Sequence, residues 1–230
     1  MRHLLILSLL LLSLPVFAQT SLEPTWSFGV KTYYGDNRHQ VNGILEQYHI
    51  SNYQESPDII QFGLFAKASF PSFSVRPELS FASTSYLLRL KNLNPALTAT
   101  GISETDWKLR TSIERFREIE LYLPLEKKIS EFISVEVGAV VGRRIHIGKT
   151  ASFIRPEDEI LYSVSNSYHN WNFDWRVGAS VGVGPLIFQM AYQANIVPLA
   201  SEVKHAGNVY QLRQQTNQLM FGAGLQLFQL

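Results

Sequence analysis

The chain has 230 residues, no cysteine, and 20 basic against 19 acidic residues. Without cysteine it has neither a disulfide framework nor thiolate metal sites, and its near-neutral charge gives no electrostatic case for nucleic acid as a partner. No Pro/Gly/Ser linker or compositional break divides it, so one sizeable domain is expected.

Arg2 and His3 precede an apolar run from Leu4 to Leu14, followed by Pro15-Val16-Phe17-Ala18. This is the pattern of a secretory signal peptide, 1–18, removed after about Ala18 and leaving a domain at 19–230. The apolar run is too short for a spanning helix of ~20 residues. Removal of Arg2 leaves bases and acids in equal number.

Eight later segments alternate with period two over the length that a tilted strand needs to cross a bilayer. The first, near Trp26 to Gly35, sets Trp26, Phe28, Val30 and Tyr34 against Ser27, Gly29 and Lys31. The second, near Ile59 to Phe70, sets Ile60, Phe62, Leu64, Ala66 and Ala68 against Gln61, Gly63, Lys67 and Ser69. The third starts at Phe73, with Val75, Leu79 and Phe81 opposite Arg76, Glu78 and Ser80. The fourth ends in Ile119, Leu121, Leu123 and Leu125, with Glu118, Glu120 and Tyr122 facing away. The fifth opposes Ile133, Val135, Val137, Ala139 and Val141 to Ser134, Glu136, Gly138, Gly142 and Arg144. The sixth, Trp171 to Val183, is the clearest: three aromatics and a row of aliphatics stand opposite Asn172, Asp174, Arg176 and small residues. The seventh sets Leu186, Phe188, Met190 and Tyr192 against Gln189, Ala191 and Gln193. The eighth sets Leu219, Phe221, Ala223, Leu225 and Leu227 against Gly222, Gly224 and Gln226.

Connection lengths alternate too. Pro71-Ser72, Glu126 to Glu131 and Gly184-Pro185 are short, whereas Asp36 to Pro57, Tyr86 to Lys108, Lys149 to Asn170 and Pro198 to Thr216 are long and read as loops. Short periplasmic turns, long external loops and an even strand count describe an eight-stranded antiparallel up-and-down transmembrane β-barrel of the bacterial outer membrane. A lipocalin-like soluble barrel would put its apolar face inside. Pro124 is expected at a strand end, where a missing donor costs little, and Pro77 at a bulge or an unpaired position.

Ile119-Glu120-Leu121-Tyr122-Leu123-Pro124-Leu125, the stretch from Phe173 to Gly184, and Phe221-Gly222-Ala223-Gly224-Leu225 resemble the PorT-like family of outer-membrane β-barrel domains. The resemblance covers the mature chain in layout and its second half in motifs. It implies a small outer-membrane barrel; the family's founding member is linked to a protein-secretion system. The ending departs from the usual barrel-assembly signal, a final aromatic, because Phe228 falls on the inward parity and the last residue is Leu230.

An eight-stranded barrel is just wide enough for side chains to fill. The inward list holds Lys31, Lys67, Arg76, Arg144 and Arg176 as bases and Glu78, Glu118, Glu120, Glu136 and Asp174 as acids. Charges kept from water are costly unless paired, so this balance predicts a salt-bridged structural plug rather than an ion or proton path.

A nucleophile with a base would suggest a rim-located lipid-modifying hydrolase, and Ser167 near His169, or inward His146, are the candidates. Ser-x-His proximity is not a motif, and no catalytic role is expected. His39, His49 and His205 lie on separate loops without ligand spacing, so neither a metal nor another cofactor is expected. Glu118 and Glu120 are better placed for ion pairing than for acid/base work, and Glu157-Asp158-Glu159 reads as a solvated loop. Trp26, Tyr34, Trp171, Trp175 and Tyr192 fit interfacial girdles. Ile44, Leu45, Tyr48, Tyr53, Phe153, Ile160, Leu161, Tyr162 and Tyr168 are more apolar than solvated loops require and are expected over the barrel mouth or on a partner surface. The expected partners are outer-membrane lipid and envelope or secretion proteins.

Overall fold

The computed structural model describes residues 23–52, 58–93, 109–147 and 156–230. The expected signal peptide at 1–18, and Tyr53 and Phe153, lie outside these residues. Eleven strands form one antiparallel sheet: β1 (Thr25–Leu45), β2 (Tyr48–Asn52), β3 (Asp58–Ser69), β4 (Phe73–Val75), β5 (Glu78–Asn92), β6 (Leu109–Lys128), β7 (Ile133–Ile147), β8 (Trp171–Val183), β9 (Leu186–Asn195), β10 (Ala200–His205) and β11 (Asn208–Gln229). A helix, α1 (Pro156–Asn166), precedes β8.

Eight of the strands close a ring. In order β1, β3, β5, β6, β7, β8, β9 and β11 pair with their neighbours, and β11 returns to β1 from Ser27↔Gln229 to Gly43↔Leu212. The fold is the eight-stranded antiparallel barrel that the alternation predicts. At its narrow-turn end, Gly184 takes φ +60° ahead of Pro185, which matches a type II′ hairpin and joins Val183 to Leu186 with two residues.

The faces are those of a membrane barrel. Trp171, Phe173 and Val181 are 55%, 44% and 42% exposed, while Asp174 and Arg176 between them are 3% and 0% exposed. Phe62, Leu64, Phe81, Ile119, Leu123, Phe188, Met190 and Phe221 continue the apolar exterior around the ring. In water this surface would be a severe liability; in hydrocarbon it is the required one.

Four local expectations need correction. The segments Asp36 to Pro57, Tyr86 to Lys108 and Pro198 to Thr216, expected as loops, instead largely carry strand wherever they are described. There β1, β5 and β11 run on past the belt, and β2 and β10 pair onto them. Glu157-Asp158-Glu159, expected as a solvated loop, forms the first turn of α1, where Pro156 supplies a helical φ and acids suit the positive end of the helix dipole.

Pro124 lies four residues inside the end of β6, opposite Gly138. Its missing donor faces Arg76, whose own amide donates to the Pro124 carbonyl at 3.3 Å. Here the neighbouring strand is itself interrupted, between β4 and β5 at Arg76-Pro77, with the same register on both sides and hence no bulge. Phe228, placed inward by parity, is exposed: the register shifts between Phe28↔Phe228 and Gly29↔Gln226, so Leu227 is an extra residue that resets the alternation. Phe228 then meets Phe28 across the ladder, ring centroids 5.4 Å apart.

Candidate functional site

The lumen is filled in layers. Lowest, near the short turns, Glu126 accepts from Lys67 at 2.6 Å and from Arg76 at 3.1 Å. Arg76 is the hub, for its Nε donates to Glu78 at 2.9 Å and its Nη2 reaches Glu136, so one guanidinium serves three carboxylates from β5, β6 and β7. Its planar fork suits that task better than an ammonium. Lys31 from β1 pairs with Glu78, and Tyr33 donates to Gln189 at 3.0 Å. The Tyr33 ring lies across Gly222 so closely that a Cβ there would fall 2.4 Å from it, a contact only glycine permits.

One layer up, Arg176 donates to Glu120 at 3.2 Å and to Gln193 at 2.8 Å, and its guanidinium lies 4.5 Å from the Tyr122 ring centroid. Gln61 donates to the same Glu120 at 2.7 Å. Above that, Arg144 donates to Glu118 at 2.9 Å, while Asp174 accepts from Gln193 at 2.7 Å and from Asn195 at 2.6 Å.

All ten predicted lumen charges therefore point inward, and each has a described partner. Sequence reasoning missed Glu126, assigning it to a turn although it shares the parity of Glu118 and Glu120. It also missed that Asp174 is held by side-chain amides rather than by a base.

At the next level the filling turns aromatic. His39, Tyr86, Phe116, His146 and Tyr168 stack there, with Phe116 centred 4.7 Å from His146 and 5.1 Å from Tyr86. His146 Nε2 lies 2.7 Å from Glu114, which also accepts from Ser165 of α1 at 2.8 Å. Burial pushes the Tyr168 phenol well above its ordinary range, so it stays protonated at neutral pH.

Over this layer Val41, Leu45, Tyr48, Ile50, Leu88, Leu90, Val203 and Leu212 from the strand extensions pack with Ile160 and Val164 of α1 into an apolar cluster. The apolar residues expected over the barrel mouth thus divide. Leu45, Tyr48 and Ile160 are core, whereas Ile44 and Tyr162 remain exposed.

The hydrolase arrangement does not assemble. Ser167 Oγ donates to the Val164 carbonyl at 2.6 Å, and His169 is exposed. A different serine, Ser163, lies 3.0 Å from His205 Nδ1, with Glu46 3.8 Å from Nε2. The Ser163 hydroxyl also donates to the Glu159 carbonyl one helical turn back, at 3.0 Å. His49 bonds Asn42 and His39 bonds Gln214. Among the described residues no group of three metal-binding side chains converges.

No family model matches the chain, and no curated protein does. Among solved structures it is similar to Neisserial surface protein A, at 13% identity and TM-score 0.47 over 88% of this chain and 99% of that one. It is also similar to the outer membrane protein OprG from Pseudomonas aeruginosa, at 10% identity and TM-score 0.48 over 90% and 97%. A third is Ail of Yersinia pestis, solved with the heparin analogue sucrose octasulfate, at 9% identity and TM-score 0.42 over 90% and 100%. The likeness is one of layout. The belt and the enclosed charges of this chain themselves make it a bacterial outer-membrane β-barrel protein.

Proposed function

We propose that the chain is a closed, non-enzymatic outer-membrane barrel with a structural or interaction role exerted through its extracellular end. The observation that carries this reading is a double closure. A cross-braced charge network of Lys31, Lys67, Arg76, Glu78, Glu118, Glu120, Glu136, Arg144, Asp174 and Arg176 fills the lumen, and an apolar cluster roofed by α1 lies over it. An ion crossing this path would have to break several buried charge pairs and then enter an apolar plug, both costly.

In this reading the charge network is structural, and the strand extensions with α1 form a rigid platform outside the cell. The test is conductance of the purified full chain in planar bilayers. No stable opening is expected, and a reproducible open channel would overturn the sealed lumen.

A second reading, favoured by the motifs that resemble the PorT-like family, is a secretion or envelope-assembly component. Affinity capture of intact envelope complexes separates the two: a stoichiometric set of secretion-system proteins supports the second, and recovery of the barrel without them supports the first.

A further inference from the structure

Just above the apolar belt the outer wall of β5, β6 and β7 carries three exposed arginines close together. Arg115 and Arg117 stand two residues apart on β6, a step of roughly 7 Å, and Arg143 lies on β7 diagonally from Arg117, about 7–8 Å away. Ser83 and Ser85 face outward directly opposite Arg117 and Arg115. Every acid of these three strands, Glu78, Glu114, Glu118, Glu120, Glu126 and Glu136, is buried on the other side of the wall. Among the described residues no carboxylate pairs with Arg115, Arg117 or Arg143. Across the barrel, by contrast, the outward cation Arg38 is paired with Asp36 at 3.2 Å.

The surroundings of the three arginines identify their partner. Ile145 stands opposite Arg117, Ile119 opposite Arg143 on one side and Trp171 on the other. These neighbours are exposed and apolar. That is a boundary of hydrocarbon and headgroups, where an arginine can lay its stem along apolar surface and turn its fork to the polar side. Guanidinium forks and hydroxyls match phosphate oxygens, and like charges this close call for a counter-anion. A soluble anion or a nucleic acid would use the charge but gain nothing from the apolar half of the patch.

Resting on the membrane placement above, we propose that the β5–β7 wall binds the phosphate groups of outer-leaflet lipid, with Arg115, Arg117 and Arg143 as the anion site and Ser83 and Ser85 as supporting donors.

The test is native mass spectrometry of the full chain in detergent, titrated with bis-phosphorylated lipid A, with the same lipid after phosphatase treatment, and with inorganic phosphate. The wild type is expected to retain the phosphorylated lipid. The combined Arg115→Gln, Arg117→Gln and Arg143→Gln variant should bind it roughly a hundredfold more weakly, about fivefold per charge. Arginine-to-lysine changes at the same positions should keep most of the binding and control for folding, as should Arg213→Gln with Lys204→Gln elsewhere on the extracellular exterior. Equal retention of phosphorylated and dephosphorylated lipid, equal loss in the Arg213/Lys204 control, or displacement of lipid by inorganic phosphate at matched concentration would overturn the proposal. None of these results bears on conductance, so the sealed-lumen reading stands or falls separately.

Discussion

The lower and upper halves of this barrel use one continuous hydrogen-bonded ladder with opposite polarity. On β1 the lower part turns Trp26, Val30 and Tyr34 outward and Lys31 inward, whereas the upper part turns Arg38 and Gln40 outward and Val41 and Leu45 inward. β5 exchanges its faces in the same way, from Leu79 and Phe81 outside with Glu78 inside to Lys91 outside with Leu88 and Leu90 inside. The backbone is indifferent to the change. What differs is the solvent: hydrocarbon around the lower wall forces polar atoms into the lumen, where they must pair, and water around the upper wall lets the hydrophobic effect build an ordinary core.

The two halves should therefore respond differently to side-chain removal, and the largest effect belongs to the lower one. Arg76→Met leaves three buried carboxylates without their shared cation and is expected to cost about 3–5 kcal/mol, read from urea unfolding of the barrel in lipid vesicles. A cost below about 1 kcal/mol would mean that the network is hydrated and its pairs weak.

In the upper half, Ile160→Val removes one buried methylene from the cap and should cost about 1 kcal/mol. That loss should appear as faster amide exchange in α1 with the lower strands unchanged, which makes the cap a separable cooperative unit. Uniform loss of protection in both halves would merge them into one. The smallest effect is expected at the exposed Asp36–Arg38 pair, where Asp36→Asn should change stability by less than about 0.5 kcal/mol in the same assay.

The polarity exchange also explains what could be read in the sequence. Within the belt the alternation keeps one parity, so all eight crossing strands and the inward direction of Lys31, Arg76, Glu136 and Arg176 follow from period two alone. Where a strand leaves the membrane the apolar parity flips, and the signal cancels across the junction. For that reason the upper parts of β1, β5 and β11 look like loops although their ladders are unbroken. Phe228 was misplaced by a related cause, since one extra residue at Leu227 reverses every later face and leaves no mark in composition.

The partners inside the lumen were less legible than its membership. Parity puts Arg76 and Glu78 on one face, but only the closed ring brings Glu126 and Glu136 to the same guanidinium. The contact of Ser165 with Glu114 likewise depends on where α1 docks, which period-two patterning does not encode.

The central claim is the exchange of faces at one level of the wall, and the absence of cysteine makes it directly measurable. Single cysteines at Phe62, Phe173 and Leu219 in the belt, and at Gln40 and Arg213 above it, can carry a fluorophore in the reconstituted barrel. An exchange of faces predicts quenching of the first three by a lipid-borne quencher and of the last two by aqueous iodide. Iodide quenching at Phe62, Phe173 and Leu219, with the lipid-borne quencher silent there, would contradict it.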